Sequence, residues 1–385
     1  MPFIIDAHED LAWNMLTFGR DYTLSAGETR QKERGTQVSD QNGDTLLGWL
    51  DYQKGDVVVL FSTLFAAPAR RKLGEWDTQS YNDFSQAHSI YQKQLDAYHR
   101  LAENHADKFR LILSRGDLDG VLTEWQKVEA QAALDSERGP QEEQGEDEKD
   151  GSKGFPVGLV ILMEGAEGVL APAELEEWWG SGVRIIGPAW AGTRFCGGTR
   201  EPGPVTSEGF ALFDAMAGLG FTLDISHMDE QAVLQALDAF PGRIIASHAN
   251  ALALLKGYEG NRQLSDRVIH GLLERDGLVG VVPLNSFLMA GWKRSDPREL
   301  VSLQHVVAQI DYICQIAGDA DHVGLGSDFD GGFGVQSVPI EINTIADLQK
   351  LGPLLAEKGY SETDIAKILG ENWMSFLQES LPENT

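Results

Sequence analysis

Short, apolar, β-branched runs recur along the chain, separated by stretches with helical spacing. The runs cover residues 3–6, 57–65, 158–163, 183–187, 221–225, 243–247, 278–283 and 323–327. Most are continuously apolar rather than alternating, the pattern of parallel strands buried on both faces. Residues 85–108, 207–219, 229–239, 265–274 and 300–317 carry helical periodicity, and Asp229 and Ser265 stand where N-caps are needed. Eight strands alternating with helices predict an α/β fold, a closed (β/α)8 TIM-type barrel rather than an open doubly wound sheet. Residues 109–113 form a ninth β-like run, expected to be an accessory strand or an extended connector.

Two stretches break the alternation. Residues 20–43 are polar and rich in Gly, Thr and Gln, and are expected to form a long first βα loop that covers the barrel mouth. Residues 136–153, SERGPQEEQGEDEKDGSK, are an acidic low-complexity insertion unable to contribute to a core. With 385 residues, 42% of them hydrophobic, the chain can bury one large core, and residues 1–385 are expected to form one barrel domain.

Charge and cysteine content narrow the function classes. Lys plus Arg is 31 against 59 for Asp plus Glu, a formal charge of −28 that repels phosphate backbones and anionic lipid headgroups. No apolar run approaches the roughly 20 residues of a membrane-spanning helix. The first residues lack the pattern of a signal peptide and the last are polar, so a cytoplasmic protein without nucleic-acid or membrane partners is expected. Cys196 and Cys314 are too few for a disulfide framework or a structural zinc cluster, and no spacing supports a thiol nucleophile.

Five predicted strands end in metal-binding residue types. The first runs into His8-Glu-Asp10, the third into Glu164-Gly165, the fifth into His227, the sixth into His248, and the eighth into Asp328-Phe-Asp330-Gly-Gly. In a parallel barrel these carboxyl ends surround one mouth, where barrel enzymes build their sites. A single histidine after a strand is ordinarily a core or capping residue; five such ends together point to a metal site. Three imidazoles and at least two carboxylates suit Zn²⁺ or another borderline divalent ion, and their spread suggests two ions bridged by a carboxylate. Asp328-Phe-Asp330-Gly lacks the further acidic positions of a calcium loop, Gly324-x-Gly326 lacks the following helix of a dinucleotide motif, and no Gly-x-Ser-x-Gly elbow is present. His322 precedes the last strand, at the opposite end of the barrel, and reads as structural.

This set resembles the membrane (renal) dipeptidase family, peptidase family M19 of the amidohydrolase superfamily, with motifs in matching order from His8 to Asp330. His8-Glu-Asp10 is the most diagnostic, since related amidohydrolases usually carry a second His at the position of Asp10. Arg262-Gln-Leu-Ser-Asp266 is similar to the family's Arg-Asn-x-x-Asp element, with Gln263 replacing Asn. The resemblance implies two Zn²⁺ per chain, one held by His8, Asp10 and Glu164, the other by His227, His248 and the shared Glu164. It further implies hydrolysis of a dipeptide or similar small amide by a metal-bridging hydroxide, Asp328 as the proton-transferring residue, Arg262 as the partner of the substrate carboxylate, and a homodimer. One departure stands out: the family usually has a substrate-contacting His after the fourth strand, whereas this chain has Trp190. An indole neither accepts a proton nor carries charge. N-acyl amino acids or another non-dipeptide acyl substrate are therefore the alternative, and a non-catalytic metal-binding barrel the third reading.

Overall fold

The structure, a computed structural model, describes residues 2–137 and 154–383. The acidic insertion expected over 136–153 therefore lies outside the described residues apart from its first two, which end the helix Arg115–Glu137.

Eight parallel strands form the barrel: β1 Ile4–Glu9, β2 Val57–Phe65, β3 Val157–Glu164, β4 Val183–Gly187, β5 Thr222–Asp224, β6 Ile244–Ile245, β7 Val279–Val281 and β8 Val323–Leu325. They pair in sequence order from β1 to β6, β8 lies on the other side of β1, and β7 pairs with β8. A parallel bridge between Ala246 and Val279 joins β6 to β7 and brings the ring round on itself. All eight predicted strands are present. The later ones are shorter than their apolar runs, although backbone bonds such as Ala249 N–H to the Gly280 carbonyl, 2.8 Å, extend the pairing toward the mouth. The ninth run is the strand Phe109–Leu111, which pairs with the start of β3.

The continuous apolar runs reflect burial on both faces. In β3, Val160 and Leu162 enter one hydrophobic cluster while Leu159, Ile161 and Met163 enter the other. The first cluster is completed by Trp373, Phe376 and Leu377 of the helix Asn372–Ser380. Trp373 donates its indole N–H to the Leu325 carbonyl at 3.0 Å, over a Gly324 whose missing Cβ leaves it room.

Asp229 and Ser265 cap the helices Glu230–Ala239 and Asp266–Leu273, accepting from the backbone N–H of Gln231 and Val268. The excursion between β1 and β2 is long, as expected, but it is substantially helical, with Leu11–Phe18, Ala26–Glu33, Val38–Gln41 and Trp49–Lys54 along it. Its polar composition hid a complete capping box, in which Ser25 and Glu28 exchange side-chain and backbone bonds at the start of Ala26–Glu33. No described helix is long and apolar enough to cross a membrane.

Candidate metal centre at the barrel mouth

The strand ends converge. Glu164, the last residue of β3, turns its two oxygens in different directions. Oε2 lies 3.7 Å from His8 Nε2, while Oε1 lies 3.0 Å from His227 Nε2 and 3.4 Å from His248 Nε2. His8 Nε2 is also 3.9 Å from both Asp10 Oδ2 and Asp328 Oδ1. The His8 and His248 rings are 3.6 Å apart, and the Nε2 atoms of His227 and His248 are 3.0 Å apart. His8, Glu164 and His248 offer one set of atoms close enough to hold a cation; His8, Asp10 and Asp328 offer another.

Buried His8 has no hydrogen-bond partner for either ring nitrogen. A buried polar atom without a partner is costly, and in a nest of carboxylates it is the arrangement expected of a ligand. Burial works against a charge on His8, but Glu164, Asp10 and Asp328 outweigh it and push its pKa up to about 9. The same negative field attracts a divalent cation. Burial, reinforced by Arg262, draws His227 down to about 4, and burial together with His8 holds His248 well below its usual range, so both imidazoles are neutral and competent as ligands. Burial opposes the charge on Glu164, yet His8, His227 and the histidine hydrogen bonds hold its carboxyl well below the usual range. For Asp328 burial wins, with Asp10 and Glu164 adding to it, and its pKa stands well above that of a free carboxylate. The residues present therefore fit divalent metal.

An outer layer of side chains aims the inner one. Ser247 Oγ lies 2.8 Å from His248 Nδ1 and donates to Asp224 Oδ2 at 2.5 Å, while Asp224 Oδ1 accepts the backbone N–H of Ser226 and Ser247 at 3.0 and 2.9 Å. Thr199 Oγ1 lies 3.0 Å from His227 Nδ1, and Thr63 donates to Asp10 Oδ1. Thr199 sits in the turn of a hairpin, Cys196–Gly198 with Glu201–Val205, that follows β4. Sequence reasoning missed this layer. The aspartate of Leu223-Asp-Ile-Ser-His227 was its visible signal, but nothing local marks Thr199, which reaches His227 across 28 residues. Glu9 faces away from the cluster: it is fully buried, accepts from Tyr52 Oη at 2.6 Å, and burial pushes its carboxyl well above the usual range.

His227, Asp328 and Asp330 have φ of 67°, 58° and 63°, the left-handed region that side chains other than glycine seldom adopt. Three such residues at one mouth mark a site whose backbone is held by its surroundings. Gly331 is required there for space: a Cβ on it would collide with Asp328 Oδ1 and stand 2.8 Å from Asp10 Oδ2.

Arg262 and Trp190 line the same cavity as Asp10, Glu164, His227 and Asp328. Arg262 is only 4% exposed and donates from Nη2 to the His248 carbonyl at 2.6 Å, leaving Nε and Nη1 without partners. Gln263, the departure in its motif, accepts the backbone N–H of Asn250 at 3.0 Å. Trp190 packs between Phe65 and His227, with ring centroids 5.1 and 6.1 Å away. Burial raises the thiol of Cys196 to about 12 and that of Cys314 to about 11, so neither is a nucleophile. His322 bonds the Gly277 carbonyl at 3.1 Å, as a structural residue would.

Comparison with known proteins agrees with this geometry. The model of the membrane dipeptidase family (peptidase family M19) matches residues 142–382. An uncharacterized protein from the pqqA 5′ region of Klebsiella pneumoniae is 33% identical over 232 residues, 58% of this chain and 82% of its own length. An uncharacterized dipeptidase of Schizosaccharomyces pombe is 29% identical over 222 residues, which are 55% of this chain and only 51% of that protein. Among solved structures, the dipeptidase AC, a family M19 metallo peptidase, shares the fold with a TM-score of 0.74 at 22% identity, covering 99% of both chains. A Rhodobacter sphaeroides metallo peptidase liganded with a phosphinate mimic of the dipeptide L-Ala-D-Ala aligns with the same score, identity and coverage. The chain belongs to the membrane dipeptidase family, peptidase family M19.

Proposed function

We propose that this protein is a binuclear zinc hydrolase that cleaves a small amide carrying a free carboxylate, a dipeptide or a close relative of one. The observation that carries the reading is the divided posture of Glu164, with one oxygen toward His8 and the other toward His227 and His248. His8, Asp10 and Glu164 would hold one ion, and His227, His248 and the same Glu164 the other. Bound divalent ions supply Lewis acidity and bring the pKa of water toward neutrality.

The chain's own groups do the rest. Asp328 faces His8 from the end of β8 and is largely shielded from solvent, and burial raises its pKa above that of a free carboxylate, toward the range where a group can both take and return a proton. It accepts the proton of the attacking water at a carboxylate oxygen and delivers it to the departing amide nitrogen. Arg262 keeps Nε and Nη1 free of partners, donors that remain available to a carboxylate, and so fixes the C-terminal end of the substrate. Trp190 contacts the substrate from the cavity wall and keeps water out. Family membership supports this reading, as do the dipeptidases among the relatives.

The test is to strip the protein of metal, reload it with zinc, and assay a panel of dipeptides and N-acyl amino acids. Hydrolysis should vanish on chelation and return with about two zinc ions per chain. Asp328→Asn should retain the metal and lose roughly 10²- to 10⁴-fold in turnover. A fully metal-loaded protein that hydrolyses no amide would overturn the proposal in favour of a binding role.

A further inference from the structure

The chain carries 31 basic side chains against 59 acidic ones, yet arginines gather around its metal cavity: Arg71, Arg200, Arg262 and Arg294 all line it. Of the carboxylates lining the same cavity, Asp10, Glu164 and Asp328 belong to the metal cluster. The fourth, Asp77, is 3% exposed and faces the backbone N–H of Leu73 and Gln79 at 3.4 and 3.3 Å. A basic mouth on so acidic a chain draws anions and concentrates them at the site.

The four arginines differ in what already holds them. Arg71 Nε pairs with Glu201 at 2.9 Å. Arg294 donates to the Asp40 carbonyl at 2.9 Å and to that of Ser39, which ties it to the first βα excursion. Arg262 is the arm assigned above to the terminal carboxylate of the substrate. Arg200 follows Thr199 in the turn of the hairpin after β4, is exposed, and among the described residues donates only its backbone N–H, to Asn261 Oδ1 at 2.9 Å. Its guanidinium therefore lines the cavity with no partner among those residues. The Asn261 bond holds Arg200 at a φ of 63°, a left-handed conformation that an arginine adopts at a cost. Asn261 Nδ2 also donates to the Gly198 carbonyl at 3.0 Å and to Asp229 Oδ1 at 2.9 Å, and Asn261 immediately precedes Arg262. One amide thus joins the hairpin after β4 to the loop after β6 and keeps Arg200 and Arg262 on one stretch of the cavity wall.

We infer, resting on the hydrolase reading above, that Arg200 receives a second carboxylate of the substrate, carried by the side chain of the residue whose α-carboxylate rests on Arg262. Two arginines held on one stretch of wall suit two carboxylates on one short carbon chain, which is the chemistry of aspartate and glutamate. The preferred substrates are then dipeptides with an acidic C-terminal residue. The reaction is simple hydrolysis: the amide C–N bond breaks, the water oxygen bonds to the acyl carbon, and a water proton goes to the leaving nitrogen. The products are a free amino acid and aspartate or glutamate.

Four dipeptides separate the possibilities in the zinc-loaded enzyme: Ala-Glu, Ala-Gln, Glu-Ala and Gln-Ala, each with its C-terminal residue in both configurations. Glu and Gln differ little in shape, so each pair isolates the charge. In the configuration the enzyme prefers, kcat/KM for Ala-Glu should exceed that for Ala-Gln roughly threefold to thirtyfold, the range between an exposed ion pair and a charge-assisted hydrogen bond. The ratio of Glu-Ala to Gln-Ala should be smaller. Arg200→Gln should bring the ratio of Ala-Glu to Ala-Gln toward one, while Arg200→Lys keeps most of it. Zinc content measured on each variant monitors the site, because neighbouring Thr199 faces His227. Calorimetry gives a readout without turnover: glutamate should bind the zinc-loaded protein more tightly than glutamine, and Arg200→Gln should remove the difference. Equal kcat/KM for Ala-Glu and Ala-Gln, an equal or larger ratio for Glu-Ala over Gln-Ala, or a ratio untouched by Arg200→Gln would overturn the inference while leaving the hydrolase reading in place. Turnover of none of the four would instead count against the hydrolase reading, and the calorimetry would still decide whether Arg200 takes a carboxylate.

Discussion

Arg20 and Asp330 form a fully buried ion pair, Nη1 to Oδ2 at 2.9 Å, that ties the first βα excursion to the turn carrying Asp328. The Asp330 carboxylate also accepts from Tyr22 Oη and the Leu46 N–H, each at 2.9 Å, and from Thr45 Oγ1, while its backbone carbonyl accepts from Asn14. Arg20 reaches on to Glu33 and the Gly43 carbonyl. Removing one partner leaves the other charged and desolvated, a loss of about 3–5 kcal/mol for a buried pair. Asp330→Asn and Arg20→Met should each lower stability by that order in urea denaturation of the metal-loaded protein. Midpoints within the error of the parent would show that the pair does not hold the two segments together.

Glu164 is the only described carboxylate that faces all three histidines of the cluster. In Glu164→Gln one oxygen becomes an NH₂ group, which donates rather than accepts and cannot ligate. Elemental analysis after dialysis should find at least one ion lost per chain, with the barrel's far-ultraviolet circular dichroism unchanged. Retention of the parent's full metal content would remove Glu164 from the bridging position.

The barrel was legible because its strands are buried on both faces, which writes each as an unbroken apolar run between turn residues. The inner site was legible for a related reason: parallel strands deliver their carboxyl ends to one mouth, so His8, Glu164, His227, His248 and Asp328 could be grouped without knowing any distance. The helical content of residues 20–43 was obscured because the helix Ala26–Glu33 is largely solvent-facing and polar, with only Ala26 and Thr29 buried, so it carries no apolar stripe. Thr199 was invisible because its role depends on a hairpin that brings it to His227, and a threonine in a Gly-rich stretch has no local mark. Arg20 likewise looked like one more polar residue of a loop until its partner, 310 positions away, was in place.

If the histidines hold metal as proposed, the outer layer sets how well they do so. Ser247 links His248 Nδ1 to Asp224, and Thr199 faces His227 Nδ1. Such partners fix the ring's orientation and tautomer, and losing one typically costs roughly 10- to 100-fold in metal affinity. Ser247→Ala and Thr199→Val should therefore release bound metal to a competing chelator at correspondingly lower chelator concentrations, while His8, Asp10, Glu164, His227 and His248 are all left in place. Titration curves that overlay the parent's would assign these hydroxyls to packing alone.

Arg262 combines a buried positive charge with two unpartnered donor nitrogens, and burial draws its pKa down while Asp328 and Glu164 resist the change. A guanidinium kept in this state is short of an anion, and a substrate carboxylate supplies one. Arg262→Lys keeps a charge but loses the fork, and charge-assisted hydrogen bonds are worth about 1.5–3 kcal/mol, or roughly tenfold to a hundredfold in binding. KM for a carboxylate-bearing amide should rise by that factor with kcat changing less, because the contact lies away from the reacting carbon. The matching amide with its carboxylate capped should bind parent and variant alike. Because Nη2 also supports the His248 carbonyl, metal content must be equal in both proteins for the comparison to hold. A fall in kcat with KM unchanged, at equal metal content, would move Arg262 from holding the substrate to stabilising the transition state.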